Sequence, residues 1–221
     1  MRNLLVLFAV LCVACSIAPA QNSAAVQLNE WKMYGGYQYV SADTHAVQEA
    51  LNVQHAFDPS FPLLNFGNRQ NLNGWNGGIQ EDITKWFGVV VDVSGSYGER
   101  RILLFSSEGV NTSSRTRMRA YTFMGGPQFT LFRGSNFQPF ARFLAGGAFF
   151  NSRTDILDNN VPEFSAVQEN DNGFAYGGGG GADIFFSRRF GVRVAADILR
   201  TPLFGETQNN IRATTGLVYR F

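Results

Sequence analysis

The sequence predicts an all-β fold, an eight-stranded antiparallel up-and-down transmembrane β-barrel preceded by a signal peptide. The clearest observation is a pair of segments, 174–186 and 190–199, joined by the turn Ser187-Arg188-Arg189. Apolar side chains alternate with small, polar or charged ones in both segments, and a period of two indicates strands. About ten residues per segment is the length that a tilted strand needs to cross a bilayer. We therefore expect the apolar face to contact lipid and the charged face to line the lumen.

The N-terminal segment has the form of a secretory signal peptide. A basic start and the apolar core Leu4–Val13 precede the small-residue motif Ala18-Pro19-Ala20, and cleavage after Ala20 would leave Gln21 as the first mature residue. The apolar run is too short for a transmembrane helix. A lipoprotein signal ending at Cys15 is the alternative, although Cys12 stands where a large aliphatic residue is expected.

One domain is predicted after this segment. Residues 1–20 are assigned to the signal peptide, 21–30 to a short polar leader and 31–221 to the barrel. Both cysteines lie in the signal peptide, so the mature chain offers no thiol for a disulfide or a Cys-based metal site. We expect no cofactor and no bound metal.

The charge balance limits the classes of partner. The 18 basic and 17 acidic residues become 17 of each when Arg2 is removed with the signal peptide. A neutral mature chain argues against a nucleic-acid partner, which requires a basic excess. Lysine occurs only at Lys32 and Lys85. The arginine bias fits a charged lumen or a rim that faces lipopolysaccharide, because the planar guanidinium suits carboxylates and phosphates.

Eight segments carry the alternation expected of strands. Their predicted bounds are 31–41, 72–83, 87–97, 117–132, 137–151, 174–186, 190–199 and 210–221. In the first three, the apolar parity holds Trp31, Met33, Tyr37 and Tyr39, then Trp75 and Ile79, then Phe87, Val89, Val91, Val93 and Tyr97. In the next three it holds Tyr121, Phe123, Phe129 and Leu131, then Ala141, Phe143, Ala145, Gly147 and Phe149, then Phe174, Tyr176, Ala182, Ile184 and Phe186. In the last two it holds Phe190, Val192, Val194, Ala196 and Ile198, then Ile211, Ala213, Thr215, Leu217, Tyr219 and Phe221.

The connections between these segments are of two kinds. Long polar connections are predicted at 42–70, 98–116, 152–172 and 201–209, and short turns separate the remaining neighbours. Short periplasmic turns and long external loops are typical of outer-membrane barrels. Aromatic residues near the strand ends are expected to form interfacial girdles, namely Trp31, Trp75, Trp86, Tyr97, Phe186 and Tyr219. The last strand is expected to pair with the first, because an open sheet edge is costly in hydrocarbon.

Several segments together resemble the outer-membrane β-barrel family of OmpA and OmpX type. They are WKMYGGYQYV, GWNGGIQEDITKWFGVVVDVSGSYG, PFARFLAGGAFF, FAYGGGGGADIFFSRRFGVRVAADILRT and NNIRATTGLVYRF, and the resemblance covers nearly the whole mature chain. Leu217, Tyr219 and Phe221 resemble the terminal signal by which the barrel assembly machinery recognises its clients. Nothing follows Phe221, so the resemblance is to stand-alone barrels without a periplasmic peptidoglycan-binding domain.

This resemblance implies an integral protein of the bacterial outer membrane, reached by secretion across the inner membrane. The expected partners are outer-membrane lipid, lipopolysaccharide, the barrel assembly machinery and an unidentified extracellular ligand. We expect a monomer with a structural or surface-recognition role carried by its external loops. A soluble ligand-binding barrel is disfavoured, because it would need charged residues where Phe190, Val192, Val194 and Ile198 lie.

Six charged residues fall on the lumen-facing parity: Asp92, Arg142, Asp183, Arg193, Asp197 and Arg212. An eight-stranded barrel is just wide enough to be filled by its own side chains. Charges confined there are expected to pair, because an isolated buried charge is very costly. We interpret them as a structural network that closes the lumen, in which Arg193 can serve both Asp183 and Asp197. A narrow ion path through the same residues is the alternative.

Two other motifs carry weaker signals. Gly177–Gly181 lies inside a strand, whereas a phosphate-binding loop would join a strand to a helix, so crowded backbones are the better interpretation. His45 and His55 lie near Asp43, Asp58 and Ser60 in the first connection. Some eight-stranded barrels are lipid-modifying enzymes with Ser, His and acidic residues at the outer rim, which makes an enzyme the alternative function. Proximity in sequence does not define a triad, and we expect no catalysis.

Overall fold

A computed structural model describes residues 30–45, 52, 56–57, 69–105, 111–157, 164–203 and 206–221. The strands are β1 Glu30–Asp43, β2 Arg69–Asp82, β3 Phe87–Phe105, β4 Asn111–Thr130, β5 Phe137–Leu157, β6 Phe164–Phe185, β7 Phe190–Leu203 and β8 Glu206–Arg220. They form one closed antiparallel barrel in sequence order, which confirms the predicted fold class. Within the residues described, no helix has both the length and the apolar character needed to cross a membrane.

The barrel closes by pairing β8 with β1, as predicted. Lys32 lies opposite Arg220 and Ser41 opposite Ile211, with continuous register between them. At the end of this pair, the Phe221 N–H donates to the Trp31 carbonyl at 3.0 Å and the Trp31 N–H to the Phe221 carbonyl at 3.4 Å. Each strand therefore has two neighbours, so its backbone groups are bonded within the sheet, as hydrocarbon requires.

The outward face is apolar along the middle of the strands. Val91 is 41% exposed while the next inward residue, Asp92, is 0% exposed. The predicted parity also holds in β5, where Phe143 is exposed and Leu144 is buried. An exposed apolar band around a barrel with polar groups inside is the pattern expected of a lipid-facing surface.

Two of the short turns use the same local chemistry. The Thr84 hydroxyl accepts a hydrogen bond from the backbone N–H of Phe87 at 3.0 Å. The Ser187 hydroxyl accepts one from the N–H of Phe190 at 2.9 Å. Hydroxyl side chains of this kind stabilise turns by binding backbone a few residues ahead. These turns mark one end of the barrel, which we call the short-turn end.

At the other end, the predicted long connection 98–116 is wrong in most of its length. β3 continues to Phe105 and β4 begins at Asn111. The two strands stay paired from Phe87 opposite Phe129 to Phe105 opposite Asn111. Beyond the bilayer, lipid no longer distinguishes the two faces of a strand, so the regular alternation that predicts a strand is lost although the backbone stays paired.

The predictions of long connections at 152–172 and 201–209 are wrong for the same reason. β5 ends at Leu157 and β6 begins at Phe164, whereas β7 ends at Leu203 and β8 begins at Glu206. Strands β3 to β6 are accordingly the longest in the barrel, with 19 to 22 residues each. They extend beyond the apolar band as a protruding sheet. Of the first connection, 42–70, most residues lie outside those described.

Candidate functional site

Side chains from every strand project into the interior of the barrel. One part is an apolar core of buried residues: Tyr34, Val90, Met124, Leu144, Ala148, Ala175, Phe185, Leu199 and Val218. The rest is polar, and it includes arginine and lysine side chains that are almost fully buried. Buried charges of this kind need partners, so their contacts define the candidate site.

Near mid-height, five buried side chains form a charged cluster, which we call the central cluster: Tyr34, Asp92, Arg142, Asp197 and Arg212. Arg142 donates to both carboxylate oxygens of Asp197, from Nε at 3.0 Å and from Nη2 at 2.8 Å. Arg212 donates to Asp197 Oδ2 at 2.9 Å and to Asp92 Oδ1 at 2.6 Å. The Tyr34 hydroxyl donates to Asp92 Oδ2 at 2.7 Å. Two carboxylates and two guanidinium groups leave the cluster with no net charge.

A second cluster lies closer to the short-turn end, and we call it the turn-side cluster: Lys32, Gln80, Asp82, Asp183 and Arg193. Arg193 donates to the two oxygens of Asp183 at 2.6 and 2.8 Å and to Gln80 Oε1 at 2.7 Å. Lys32 Nζ lies 3.1 Å from Asp82 Oδ2 and 3.9 Å from Asp183 Oδ2. All five side chains are at most 2% exposed. They form a second set of paired charges below the first.

Contacts across the lumen tie opposite walls together. Lys32 on β1 donates to Gln138 Oε1 on β5 at 2.7 Å. The Arg193 guanidinium carbon lies 4.1 Å from the centre of the Tyr34 ring and 4.7 Å from that of Phe140. Stacking of arginine on an aromatic face is favourable, and more so when the pair is desolvated. Arg193 therefore joins the turn-side cluster to the central one through Tyr34.

The structure places all six predicted lumen residues inside the barrel but corrects one pairing. Arg193 bonds Asp183, whereas Asp197 accepts its hydrogen bonds from Arg142 and Arg212. The expectation that Arg193 serves both carboxylates is therefore wrong. Asp183 lies directly opposite Arg193 in the β6–β7 register, and Asp197 directly opposite Arg212 in the β7–β8 register. Alternation in the sequence predicts which face of a strand a residue lies on. It does not predict the height of that residue along the barrel axis.

Sequence reasoning missed Lys32, Gln80 and Asp82. The signal was present, because Lys32 alternates with the outward residues Trp31 and Met33, and Gln80 and Asp82 share the inward parity of β2. The network therefore begins at the first strand of the barrel.

Gly179 on β6 explains how the Arg142–Asp197 pair fits. In the sheet register it lies directly between them, opposite Arg142 on one side and Asp197 on the other. A Cβ at this position would collide with the Asp197 carboxylate and with the Ala196 carbonyl. The glycine run is interpreted as a place where backbones are crowded. At Gly179 the absence of a side chain leaves space for the Arg142–Asp197 salt bridge.

The other candidate residues lie at the barrel ends. His45 is exposed after β1, and its backbone N–H donates to Asp43 Oδ1 at 3.1 Å. His55, Asp58 and Ser60 lie outside the described residues, as do Ala20 and Gln21. Among the residues described, no group of three or more His, Cys, Asp or Glu side chains is arranged to hold a metal ion.

The predicted assembly signal lies on the outer surface of β8. Leu217 and Phe221 are exposed toward the membrane side. The Tyr219 ring lies 4.9 Å from the ring of Phe190 and 5.9 Å from that of Phe221, centre to centre. The three rings form part of the aromatic girdle at the short-turn end.

An apolar outer band, a closed sheet and a charged interior define an integral outer-membrane β-barrel. The family model described as outer membrane protein beta-barrel domain matches residues 8–221, and the chain belongs to this family. It is therefore a protein of the bacterial outer membrane. A comparison with curated proteins found no match.

Solved structures share this fold at low sequence identity. Ail, the attachment invasion locus protein of Yersinia pestis, is 15% identical in its complex with the heparin analogue sucrose octasulfate, with a TM-score of 0.54 over 88% of this chain and 100% of Ail. A second structure of Ail is 14% identical, with a TM-score of 0.53 over the same shares of the two chains. OprG of Pseudomonas aeruginosa is 11% identical, with a TM-score of 0.48 over 88% of this chain and 97% of OprG.

Proposed function

We propose that this protein is a non-catalytic surface barrel whose lumen does not conduct and whose protruding sheet recognises an extracellular ligand. The observation that carries the first part is the central cluster. Arg142 on β5 bonds Asp197 on β7, and Arg212 on β8 bonds Asp92 on β3, so the four side chains reach across the interior from different walls. Salt bridges that cross the lumen in this way favour a closed interior, or plug, over a path for ions.

Energetics support the same conclusion. An ion that passes the central cluster must displace a guanidinium from a carboxylate that is otherwise fully buried. Breaking a buried ion pair costs roughly 3–5 kcal/mol. The eight-stranded sheet also fixes the circumference, so side-chain motion alone does not create a wide pore.

Conductance in planar bilayers tests this proposal. The folded protein is added to the bilayer under an applied voltage, with a general porin as the positive control. We expect no steady channel above the baseline. A stable channel on the nanosiemens scale in the unmodified protein would refute the plug and favour transport.

The protruding sheet supports the second part of the proposal. Strands β3 to β6 extend far beyond the apolar band, which provides a hydrogen-bonded surface for a ligand outside the cell. The similar barrel Ail is named for attachment, and one of its structures contains a heparin analogue. We extend a recognition role of this general kind to the present chain.

A shortened hairpin tests recognition without disturbing the membrane span. Residues 102–114 are replaced by Asn-Gly, a sequence suited to tight hairpins, which reconnects Arg101 to its direct partner Arg115. We expect cells that display the shortened protein to lose adhesion to heparin-coated and host-cell surfaces while keeping a folded, heat-modifiable barrel. Unchanged adhesion relative to the intact protein would contradict the proposal.

A further inference from the structure

Four outward-facing arginines lie together on the protruding sheet, and we call them the arginine face: Arg115, Arg117, Arg119 and Arg153. The three on β4 alternate with inward residues such as Thr116, which is buried. Arg153 on β5 lies directly opposite Arg117. The arginine face shares the outward parity of Tyr121 and therefore continues the lipid-facing surface upward.

The height of this face follows from the aromatic residues below it. Trp75 Nε1 lies 3.4 Å from the Tyr97 hydroxyl, and the Tyr97 and Tyr121 rings are 6.0 Å apart, which marks the girdle on this side. Arg119 is opposite Tyr97 in the sheet register. At about 3.3 Å per residue and a tilt near 40°, Arg119 lies about 5 Å above Tyr121 on its own strand, close to the height of Tyr97, and Arg117 and Arg153 lie about 5 Å higher still.

These heights match the headgroup layer of the outer leaflet. A bilayer of about 40–45 Å with a hydrocarbon core of about 30 Å has a polar layer of roughly 5–8 Å on each side. Arg119 lies at the inner edge of that layer and Arg117 and Arg153 lie within it, whereas Arg115 lies higher. Below them, Phe123 and Phe149 are exposed on the same surface and offer contacts for acyl chains.

The charge of the face is positive after its internal pairs are counted. Arg115 Nη2 lies 2.5 Å from Glu99 Oε2, and Asp155 lies 2.9 Å from Arg153 and 3.4 Å from Arg117. Four arginines against these two carboxylates leave two positive charges. The hydrogen bond from Arg153, with further attraction from Arg117 and Arg115, lowers the pKa of Asp155, which is outside the membrane.

Donors remain available for a ligand. A guanidinium carries five N–H groups, and Arg117 and Arg153 share the one carboxylate of Asp155. Within the part of the chain that the structure describes, Arg119 makes no ion pair with a carboxylate. Arg119 is also the member of the set closest to the girdle, where lipid phosphates are most accessible.

We propose that the arginine face binds the phosphate groups of an outer-leaflet glycolipid, the lipid A part of lipopolysaccharide. Guanidinium forks match phosphate oxygens in a two-point arrangement. A free phosphate offers the same oxygens but none of the acyl chains that can pack on Phe123 and Phe149. The face therefore selects a membrane-held phosphate over a soluble one.

The binding of purified lipid A tests the proposal. The full-length mature protein in detergent micelles is titrated with bisphosphorylated lipid A and with enzymatically dephosphorylated lipid A, and bound lipid is counted by native mass spectrometry. The test variant combines Arg117→Gln, Arg119→Gln and Arg153→Gln. The matched control is Arg200→Gln, an exposed arginine on β7 at the same end of the barrel, where its Nε donates to Asn209 at 3.0 Å.

We expect the triple variant to bind bisphosphorylated lipid A at least about tenfold more weakly, with weaker binding of the intact protein in high salt. Arg200→Gln should bind as the intact protein does. Equal binding by the triple variant and the intact protein, or equal binding of the dephosphorylated lipid, would overturn the proposal. Displacement of lipid A by equimolar inorganic phosphate would also overturn it, since the face would then be a site for soluble anions.

The protein with residues 102–114 replaced separates this site from the recognition role. It retains the whole arginine face, so it should keep lipid A binding even if adhesion is lost. A heat-modifiable gel shift in every variant verifies that the barrel is folded. Loss of lipid A binding in this shortened protein, with the gel shift intact, would show that the tip of the hairpin holds the lipid and would refute the assignment.

Discussion

Arg142 and Asp197 form a two-point salt bridge across a strand that lies between them. Arg142 is on β5 and Asp197 on β7, and the intervening position on β6 is Gly179. The guanidinium Nε and Nη2 lie 3.0 and 2.8 Å from the two carboxylate oxygens. Because any side chain on β6 at this height would occupy the same space, the ion pair depends on the glycine as much as on its two charged partners.

The first prediction concerns that glycine. Gly179→Ala should destabilise the folded barrel by about 1–3 kcal/mol, the usual cost of overpacking a close-packed interior. The control is Gly147→Ala on the outer face, where a Cβ would meet only the Phe149 ring at 3.4 Å. Urea unfolding in lipid vesicles, followed by tryptophan fluorescence, measures both. Equal stability of the two variants would show that the interior tolerates the methyl group.

The second prediction tests the corrected pairing of Arg193. Arg193→Ala removes two hydrogen bonds from buried Asp183 and should cost about 3–5 kcal/mol. Combining Arg193→Met with Asp183→Leu should recover much of that loss, because the unpaired charge is removed as well. The combination with Asp197→Leu should recover none, since Asp197 is bonded to Arg142 and Arg212.

A double-mutant cycle for each pair provides the measurement. A coupling energy on the order of 0.5–3 kcal/mol is typical of residues in contact. It is expected between Arg193 and Asp183 and should be much smaller between Arg193 and Asp197. A larger coupling energy between Arg193 and Asp197 than between Arg193 and Asp183 would contradict the corrected pairing.

The third prediction concerns the membrane-facing stripe. Val194 is 43% exposed on the outer face and Ala195 is 8% exposed on the inner face. Val194→Arg should cost roughly 2–4 kcal/mol, as a charge does near the midplane of a barrel wall. Ala195→Ser should cost less, because the lumen already accommodates polar groups. Equal losses in urea unfolding would remove the evidence for a lipid-facing stripe.

Strand positions within the bilayer could be predicted because one face of each strand is apolar there. The alternation in 190–199 correctly predicts Phe190 as the first residue of β7. Outside the bilayer this contrast disappears, as in Arg115-Thr116-Arg117, where both faces are polar although the backbone is paired on both sides. Strand ends in water are therefore set by hydrogen bonding between neighbours, which no single segment reveals.

The sequence predicts which charged residues face the interior, but it does not predict which of them form hydrogen bonds with each other. The inward parity identifies Asp92 and Arg212, but their 2.6 Å contact joins β3 to β8 across the lumen. Such a contact depends on shear, the stagger between strands, which places residues of different strands at one height. Hydrophobic periodicity carries no information on stagger.

The fourth prediction concerns assembly. We infer that Leu217, Tyr219 and Phe221 act as the signal for the assembly machinery, and Phe221 also bonds the backbone of Trp31 where the barrel closes. Deletion of Phe221 should slow insertion while secretion continues at its normal rate. Pulse-chase labelling with a heat-modifiable gel shift measures the first, and signal-peptide removal measures the second. Phe57→Ala, at an exposed position outside the strands, is the control. Normal insertion without Phe221 would exclude this role.

The neutrality of the central cluster also determines how that cluster responds to an electric field. Asp92 and Asp197 carry two negative charges, and Arg142 and Arg212 carry two positive ones, all held by mutual hydrogen bonds. A transmembrane voltage does work only on net charge that moves through it, at about 2.3 kcal/mol per charge per 100 mV. A bonded group of zero total charge that shifts as a unit carries no gating charge, so a potential across the outer membrane should leave the central cluster in place.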